Sequence, residues 1–181
     1  MDRRDFLKTL AAAGAMLTVK SNGVMDIMAS TLPGAATAQA AADNYADMAA
    51  IMNGEPAAML RAALEQMGGI KRFVKKGDKV TLKPNIGWDR TPELAANTNP
   101  DLIVEMIKQC QSAGAAEVKV FDHTCDEWTR CYDHSGIDKA VKAAGGIMVP
   151  ANEESYYQEI ELPKGKALKK AKVHKAILES D

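Results

Sequence analysis

The chain has few aromatic residues, few cysteines and no excess of charge of either sign. Its 23 lysines and arginines face 24 aspartates and glutamates, so the basic excess expected of a nucleic-acid-binding protein is missing. Aromatic residues make up only 5% of the chain, so alanine and methionine must fill much of the core. Three cysteines are an odd number, which leaves at least one thiol outside any internal disulfide.

Long apolar runs and nucleotide-binding fingerprints are also missing. The apolar run Ala11–Val19 is shorter than the about 20 residues that span a bilayer, so we expect no stable membrane anchor. Gly68-Gly69 and Gly145-Gly146 follow predicted helices rather than joining a strand to a helix. They therefore form neither a P-loop nor a dinucleotide-binding turn.

The first residues have the features of an export signal. Arg3–Lys8 is basic, an apolar run follows, and Ala36–Ala40 ends in small residues. This order is typical of a signal peptide, and the paired arginines resemble the signal of the Tat pathway, whose cargo crosses the membrane already folded, often with a cofactor in place. The alternative is a basic, alanine-rich helix of a protein that is not exported. We expect the Tat translocon as a partner, cleavage of residues 1–40 after Ala38 or Ala40, and a periplasmic or extracytoplasmic location.

The rest of the chain predicts a loose N-terminus over residues 41–52 and a single α/β domain over residues 53–181. Strands are predicted at Lys79–Lys83, Glu117–Phe121 and Ile147–Val149, with a helix between each pair. This alternation predicts a three-layer, Rossmann-like, mostly parallel sheet with helices on both faces.

Capping residues mark the predicted helices. Asn53 and Pro56 begin the first, Asn99 and Pro100 the second, and the third covers Ser135–Ala144.

The end of the chain has a weaker pattern. Tyr157–Leu162 alternates and predicts a strand. Lys169–Asp181 mixes strand and helix signals, and Ile177–Asp181 lies where a further buried strand is expected. We therefore expect a sheet that is incomplete at the C-terminus, in a chain that is a fragment of a longer protein.

Three polar segments follow the three predicted strands. They are Lys83–Arg90, Asp122–Trp128 and Pro150–Glu154. Ligands of open parallel sheets bind beyond the carboxyl ends of the strands, so these segments should share one edge and form a site there.

The polar segments supply candidates for acid–base chemistry and for binding an anion. Proline after Lys83 makes a rigid exit from the strand, which would direct the ammonium across the sheet edge. The alternative is a structural pair between Lys83 and Asp122. The candidate catalytic residues are Lys83, Asp122 and His123, and the candidate substrate-binding residues are Asn85, Trp88 and Arg90.

Four side chains within a dozen positions are of the type that binds metals. They are His123, Cys125, Cys131 and His134. Zinc takes such nitrogen and sulfur ligands, and iron–sulfur clusters take thiolates, but the spacing matches no standard motif. A Cys125–Cys131 disulfide and two unpaired thiols stay open as alternatives. Cys110 lies on the apolar stripe of a predicted helix, where it behaves as a small hydrophobe.

Several short motifs together resemble the domain of unknown function 362 family, over roughly Ala57 to Asp181. They are Gly69-Ile70, Phe73–Val80, Lys83-Pro84-Asn85, Thr98-Asn99-Pro100, Gly114-Ala115 with Glu117-Val118, and Cys131-Tyr132 with Ser135-Gly136-Ile137. The resemblance implies a bacterial or archaeal protein, often Tat-exported, with an α/β core that continues past Asp181. Some members carry ferredoxin-like iron–sulfur segments, but no such cysteine run occurs here. The family name states no reaction.

Three hypotheses on function follow. The first is an exported α/β protein that binds a metal ion or an iron–sulfur or other redox centre at the sheet edge, with a redox partner protein. The second is a hydrolase or transferase that acts on an anionic small molecule. The third is a non-catalytic binding module with a Cys125–Cys131 disulfide.

Overall fold

A three-stranded parallel sheet forms the centre of the domain. A computed structural model describes residues 45–181, so the predicted signal peptide lies outside the described residues. The strands are β1 (Lys79–Leu82), β2 (Glu117–Val120) and β3 (Ile147–Met148), in the spatial order β1-β2-β3. All neighbours are parallel, with Leu82 opposite Val120. The predicted parallel α/β fold is confirmed.

The longer helices pack on one another and on one face of this sheet. They are α1 (Pro56–Gln66), α2 (Pro100–Ala113), α3 (Trp128–His134) and α4 (Ile137–Ala143). Side chains alternate between the two faces of a strand, which turns the valines and leucine of β1 and β2 toward the helices. The core there contains the fully buried side chains Ile86, Ile107, Val120, Cys131, Ile137 and Val141.

The start and end of α2 show how the sequence fixes a helix. The Asn99 Oδ1 atom accepts the backbone N–H of Asp101 at 2.8 Å, and Pro100 occupies the first turn. Gly114 ends the helix with a φ of 97°, a left-handed conformation that glycine adopts without steric cost. Both capping residues were predicted and are confirmed.

The opposite face of the sheet is polar and carries the end of the chain. A short helix, α5 (Lys175–Leu178), packs there. The Thr81 hydroxyl donates to the Ala176 carbonyl at 2.8 Å, and Lys119 pairs with Glu179 at 2.9 Å. Helices therefore lie on both faces, as predicted.

Two further strands form a separate antiparallel hairpin. They are β4 (Tyr157–Glu161) and β5 (Lys170–His174). A second small core of Phe121, Ala151 and Ala176 joins the hairpin to the sheet, with the Phe121 and His174 rings stacked at 4.0 Å. The strand predicted from Tyr157 is confirmed.

Three predictions on local structure are wrong. The first helix begins at Pro56 with Glu55 as its N-cap, whereas the predicted cap Asn53 has a φ of 63° and lies in the preceding loop. Ile177 belongs to α5 instead of a buried strand and is 43% exposed, because the His174 side chain accepts the Ala176 N–H and begins a helix. The third predicted helix begins at Ile137 rather than Ser135.

Residues 45–55, which precede α1, contain neither helix nor strand but contact the domain. The Ala46 N–H donates to the Gln66 carbonyl at 3.3 Å. The Arg72 guanidinium lies 5.5 Å from the centroid of the Tyr45 ring. The predicted boundaries at residues 40 and 52 stay predictions. Within residues 45–181, no helix has the length and apolar character needed to cross a membrane.

Candidate functional site

The three polar loops lie together at the carboxyl edge of the sheet. The Gly87 carbonyl, in the loop after β1, accepts the Cys125 N–H at 2.8 Å. The carboxylate of Asp126 accepts the Asp89 N–H at 3.0 Å. The loops after β2 and β3 meet where the His123 ring contacts the Ala151 carbonyl. The topology therefore places these segments on one edge, and their hydrogen bonds hold them there.

An ion pair between Lys83 and Asp122 joins the ends of β1 and β2. The Lys83 ammonium contacts Oδ1 of Asp122, and the Ile86 N–H donates to Oδ2 at 2.7 Å. The Asp122 side chain is only 5% exposed, whereas that of Lys83 is 56% exposed. The carboxylate is thus held from both sides, while much of the lysine side chain faces solvent.

Tyr132 fixes the backbone at Asp122. Its hydroxyl accepts the Asp122 N–H at 3.0 Å and donates to the Asp122 carbonyl at 2.8 Å. Burial raises the pKa of Tyr132 to about 12, so the phenol stays protonated and keeps its donor. The Trp128 ring meets the Tyr132 ring edge-on at 5.8 Å. Helix α3 therefore positions the candidate carboxylate.

His123 is exposed, and the contacts of its Nδ1 atom favour one tautomer of the ring. Its Nδ1 atom lies 2.9 Å from the Ala151 carbonyl and 3.1 Å from the Tyr157 hydroxyl, which also donates to Ala151. A carbonyl oxygen only accepts, so Nδ1 carries the proton of the neutral ring and Nε2 carries the lone pair. His123 can therefore take up a proton at Nε2.

The three candidate substrate-binding residues differ in the hydrogen bonds and the exposure of their side chains. The Asn85 amide is used within its loop, where Oδ1 accepts the Gly87 N–H and Nδ2 donates to the Ala96 carbonyl. Trp88 is 45% exposed. Arg90 is exposed and donates one bond to the Asp89 carbonyl. Contact with a ligand stays a prediction for all three.

The four predicted metal ligands have different partners in the structure. The Cys131 thiol is buried and lies 3.7 Å from the Gly87 carbonyl, and burial raises its pKa. Cys125 is exposed, and its sulfur lies close to Gly87: a side-chain Cβ at position 87 would be 3.6 Å from it. His123 contacts Ala151, as described above. His134 Nδ1 lies 2.5 Å from Oδ1 of Asp89.

These contacts do not form a metal cage. Within residues 45–181, no three histidine, cysteine, aspartate or glutamate side chains group in a way that could hold a metal ion. All three cysteines of the chain, which lie in this range, are free thiols. The Cys125–Cys131 disulfide is therefore not formed in this structure, and a metal or cluster at these residues stays a prediction.

Sequence reasoning did not single out Tyr132 and Tyr157 as parts of the site, nor Asp89 as the partner of two side chains. Asp89 pairs with Arg130 at 2.6 Å and with His134. The feature of the sequence that could have identified Asp89 as a site residue is its position in the polar loop after β1. Tyr132 lies in α3, which was not predicted. Tyr157 reaches the edge only through the hairpin.

A parallel α/β sheet with polar loops at its carboxyl edge, preceded by an export signal, defines a class of exported α/β proteins. Residues 1–19 match the TAT (twin-arginine translocation) pathway signal sequence, and residues 80–181 match the Domain of unknown function (DUF362). The chain belongs to the DUF362 family. Its signal directs it through the Tat translocon to the periplasmic or extracytoplasmic side of the membrane.

The chain is also similar to a curated protein of Synechocystis sp.. Over 57 residues it is 40% identical to the thylakoid-associated protein sll1697 of Synechocystis sp.. The matched region is 32% of this chain and only 18% of that protein, so the chain aligns with less than a fifth of the relative's length. No solved structure matches the chain.

Proposed function

We propose that this exported domain binds a small molecule through its anionic group at the carboxyl edge of the sheet and acts on it by acid–base chemistry, as a hydrolase or transferase does. The observation that carries the proposal is the Lys83 ammonium, placed at this edge by a buried carboxylate. A lysine has three donors, and Asp122 occupies one of them. The others are available to a carboxylate or phosphate.

Asp122 and Lys83 have different proposed roles because their side chains differ in exposure. Asp122 is buried and bonded on both oxygens, so it acts as the positioning residue that holds the lysine head group. Lys83 is the ligand-contacting residue, because more than half of its side chain faces solvent. Charge-assisted hydrogen bonds to an anion are stronger than neutral ones, which favours this pair as the place of first contact.

His123 supplies the proton-transfer group of the proposed reaction. It directly follows Asp122 in the chain, and the Ala151 carbonyl holds its Nδ1–H. The lone pair at Nε2 can take a proton from water or from a substrate hydroxyl, and the resulting imidazolium can return it to a leaving group. Trp88 and Arg90 are proposed to contact the rest of the ligand.

A phosphate titration followed by amide NMR tests the role of Lys83. We expect shifts at Lys83, Asp122 and His123, and we expect Lys83→Ala to weaken phosphate binding about tenfold or more, since one charge-assisted hydrogen bond contributes about 1.5–3 kcal/mol. Lys142→Ala is the matched control, because Lys142 is also exposed and paired with a carboxylate, Asp138, but lies on α4. Equal affinity in the two variants would contradict the proposal.

A second candidate is the metal, iron–sulfur or redox centre, with a redox partner protein. The features that favour it are the export route and the positions of Cys125, in the loop after β2, and Cys131, in α3, which both lie near Gly87. In addition, Asp89 holds Nδ1 of His134, as carboxylates do for histidines that bind metals through Nε2. The separate partners of these side chains mean that binding would require the loops to rearrange.

Metal analysis of the exported protein tests this second candidate. If a metal centre is present, the combined Cys125→Ser and Cys131→Ser variant should lose the bound metal. Cys110→Ser, which alters a buried thiol of α2, should retain it. Metal content that is absent from the wild-type protein, or unchanged in the double variant, would contradict it.

Thiol titration of the denatured protein tests the third hypothesis, the non-catalytic binding module with a Cys125–Cys131 disulfide. It gives one free thiol if the bridge forms and three if it does not.

A further inference from the structure

A short basic turn, residues Lys71–Lys76, lies at the amino edge of the parallel sheet, which is the edge opposite the candidate site. The turn leads into β1, and the Gly77 N–H that follows it donates to the Gly114 carbonyl, just before β2, at 2.8 Å. Four cationic side chains of the turn are exposed: Lys71, Arg72, Lys75 and Lys76. The basic turn therefore concentrates positive charge on a domain whose charges otherwise nearly balance.

Two buried residues hold the basic turn in place. Ile70 and Val74 both belong to the core under the helices, and the Val74 N–H donates to the Ile70 carbonyl at 2.9 Å. The residues between them are exposed, so they point outward from a tight turn. The Asp78 carboxylate accepts the Lys75 N–H at 2.7 Å and closes the second half. The cations are thus carried by a backbone with defined hydrogen bonds.

Exposed aromatic side chains stand among these cations. Phe73 is 51% exposed and Tyr45 is 43% exposed. The Arg72 guanidinium lies 5.5 Å from the centroid of each ring, so the three side chains form one surface. Aromatic rings flanked by lysine and arginine are typical of segments that bind at a membrane interface, where the ring enters the headgroup region and the cations contact anionic lipid. An acidic protein would match the cations but offers no apolar layer to Phe73.

The path of the chain joins the export signal to the domain at this surface. The Tat signal covers residues 1–19, and the chain enters the described domain at Tyr45, which the Arg72 contact places beside the basic turn. The candidate site lies at the other end of β1, which has four residues and is therefore about 13 Å long. The basic turn and the candidate site thus occupy opposite edges of the sheet.

We propose that the basic turn and Tyr45 form a peripheral binding surface for a bilayer that contains anionic phospholipids. Phe73 enters the headgroup region, and the lysines of the turn contact lipid phosphates. The contact is reversible, because it depends on a few charges and rings rather than on a membrane-spanning helix. The carboxyl edge of the sheet, with Lys83, then faces away from the bilayer and is open to ligands from water.

Co-sedimentation of the purified exported protein with vesicles tests this surface. We expect binding to an equal mixture of phosphatidylcholine and phosphatidylglycerol to be about tenfold or more stronger than to phosphatidylcholine alone, and to weaken in high salt. The combined variant Lys75→Gln and Lys76→Gln should weaken binding to the mixed vesicles about tenfold or more, because each cation near an anionic surface contributes about fivefold. Equal binding to the two kinds of vesicle would overturn the proposal.

Two further variants separate the surface from net charge. The combined variant Lys164→Gln and Lys166→Gln removes two exposed cations from the turn between β4 and β5 and should change binding by less than about twofold. An equal loss in the two double variants would overturn the proposal. Phe73→Ser preserves the charge but should weaken binding about threefold or more, and unchanged binding would overturn the role of the ring. All substituted side chains are exposed, so the variants keep the fold.

Discussion

Replacing Arg3 and Arg4 with lysine should abolish export. The chain carries a twin-arginine signal over residues 1–19, and recognition of this kind of signal depends on the arginine pair rather than on charge alone. Lysine preserves the charge but lacks the planar guanidinium with its five donors. We expect the periplasmic amount to fall about tenfold or more, measured by cell fractionation and immunoblotting with the precursor size as a marker.

A control that removes positive charge separates arginine identity from basic character. The combined variant Lys8→Gln and Lys20→Gln removes two positive charges from the N-terminal 20 residues but leaves the arginine pair. This protein should still be exported. Export of the lysine-substituted protein at the wild-type level would show that another feature of the N-terminus directs it. The domain of residues 45–181 has its own core, so the retained precursor should be folded rather than degraded.

Local signals in the sequence were sufficient to predict the strands of the parallel sheet and helix α2. Helix α2 follows from Asn99, Pro100 and Gly114, because a cap, a proline in the first turn and a left-handed glycine act within a few residues of their own position. The strands β1 and β2 follow from the alternation of polar and apolar residues. The order of these elements then fixes a parallel sheet.

Side-chain caps at Glu127 and His174 explain most of what the sequence did not predict. Helix α3 has a polar sequence, and it forms where Glu127 accepts the N–H groups of Thr129 and Arg130 and where Tyr132 packs beneath the edge. The sequence from Lys169 to Asp181 gives mixed strand and helix signals, and the His174 side chain caps a helix where a buried strand was expected. Neither outcome follows from the periodicity of the segment itself.

The same limit applies to the site. That Lys83, Asp122 and His123 lie on one edge follows from topology, because each comes directly after a strand of one parallel sheet. The partner of each side chain does not follow from topology. His134 and His123 were grouped by their nearness in sequence, but Asp89 binds one and Ala151 contacts the other. Sequence distance within a loop is a poor guide to which side chains converge.

Replacing Asp122 with alanine should destabilise the domain by about 2–3 kcal/mol, because a buried donor left without its acceptor costs about 1–3 kcal/mol. That donor is the N–H of Ile86, a fully buried residue. The lost ion pair adds less, since an ion pair with an exposed lysine contributes about 0–1 kcal/mol. Urea unfolding, followed by the fluorescence of Trp128 and Trp88, measures the change in the free energy of unfolding.

The isosteric variant Asp122→Asn identifies which bond matters. Its side-chain oxygen can still accept the Ile86 N–H, so this variant should lose only about 1 kcal/mol, as expected for the loss of an ion pair with an exposed lysine and for a neutral acceptor. Tyr132 holds the backbone of residue 122 in both variants, because it bonds only to the N–H and the carbonyl there. If alanine and asparagine cost the same, the Ile86 bond is not what Asp122 contributes. If neither changes the stability, the buried carboxylate is not a structural element of the edge.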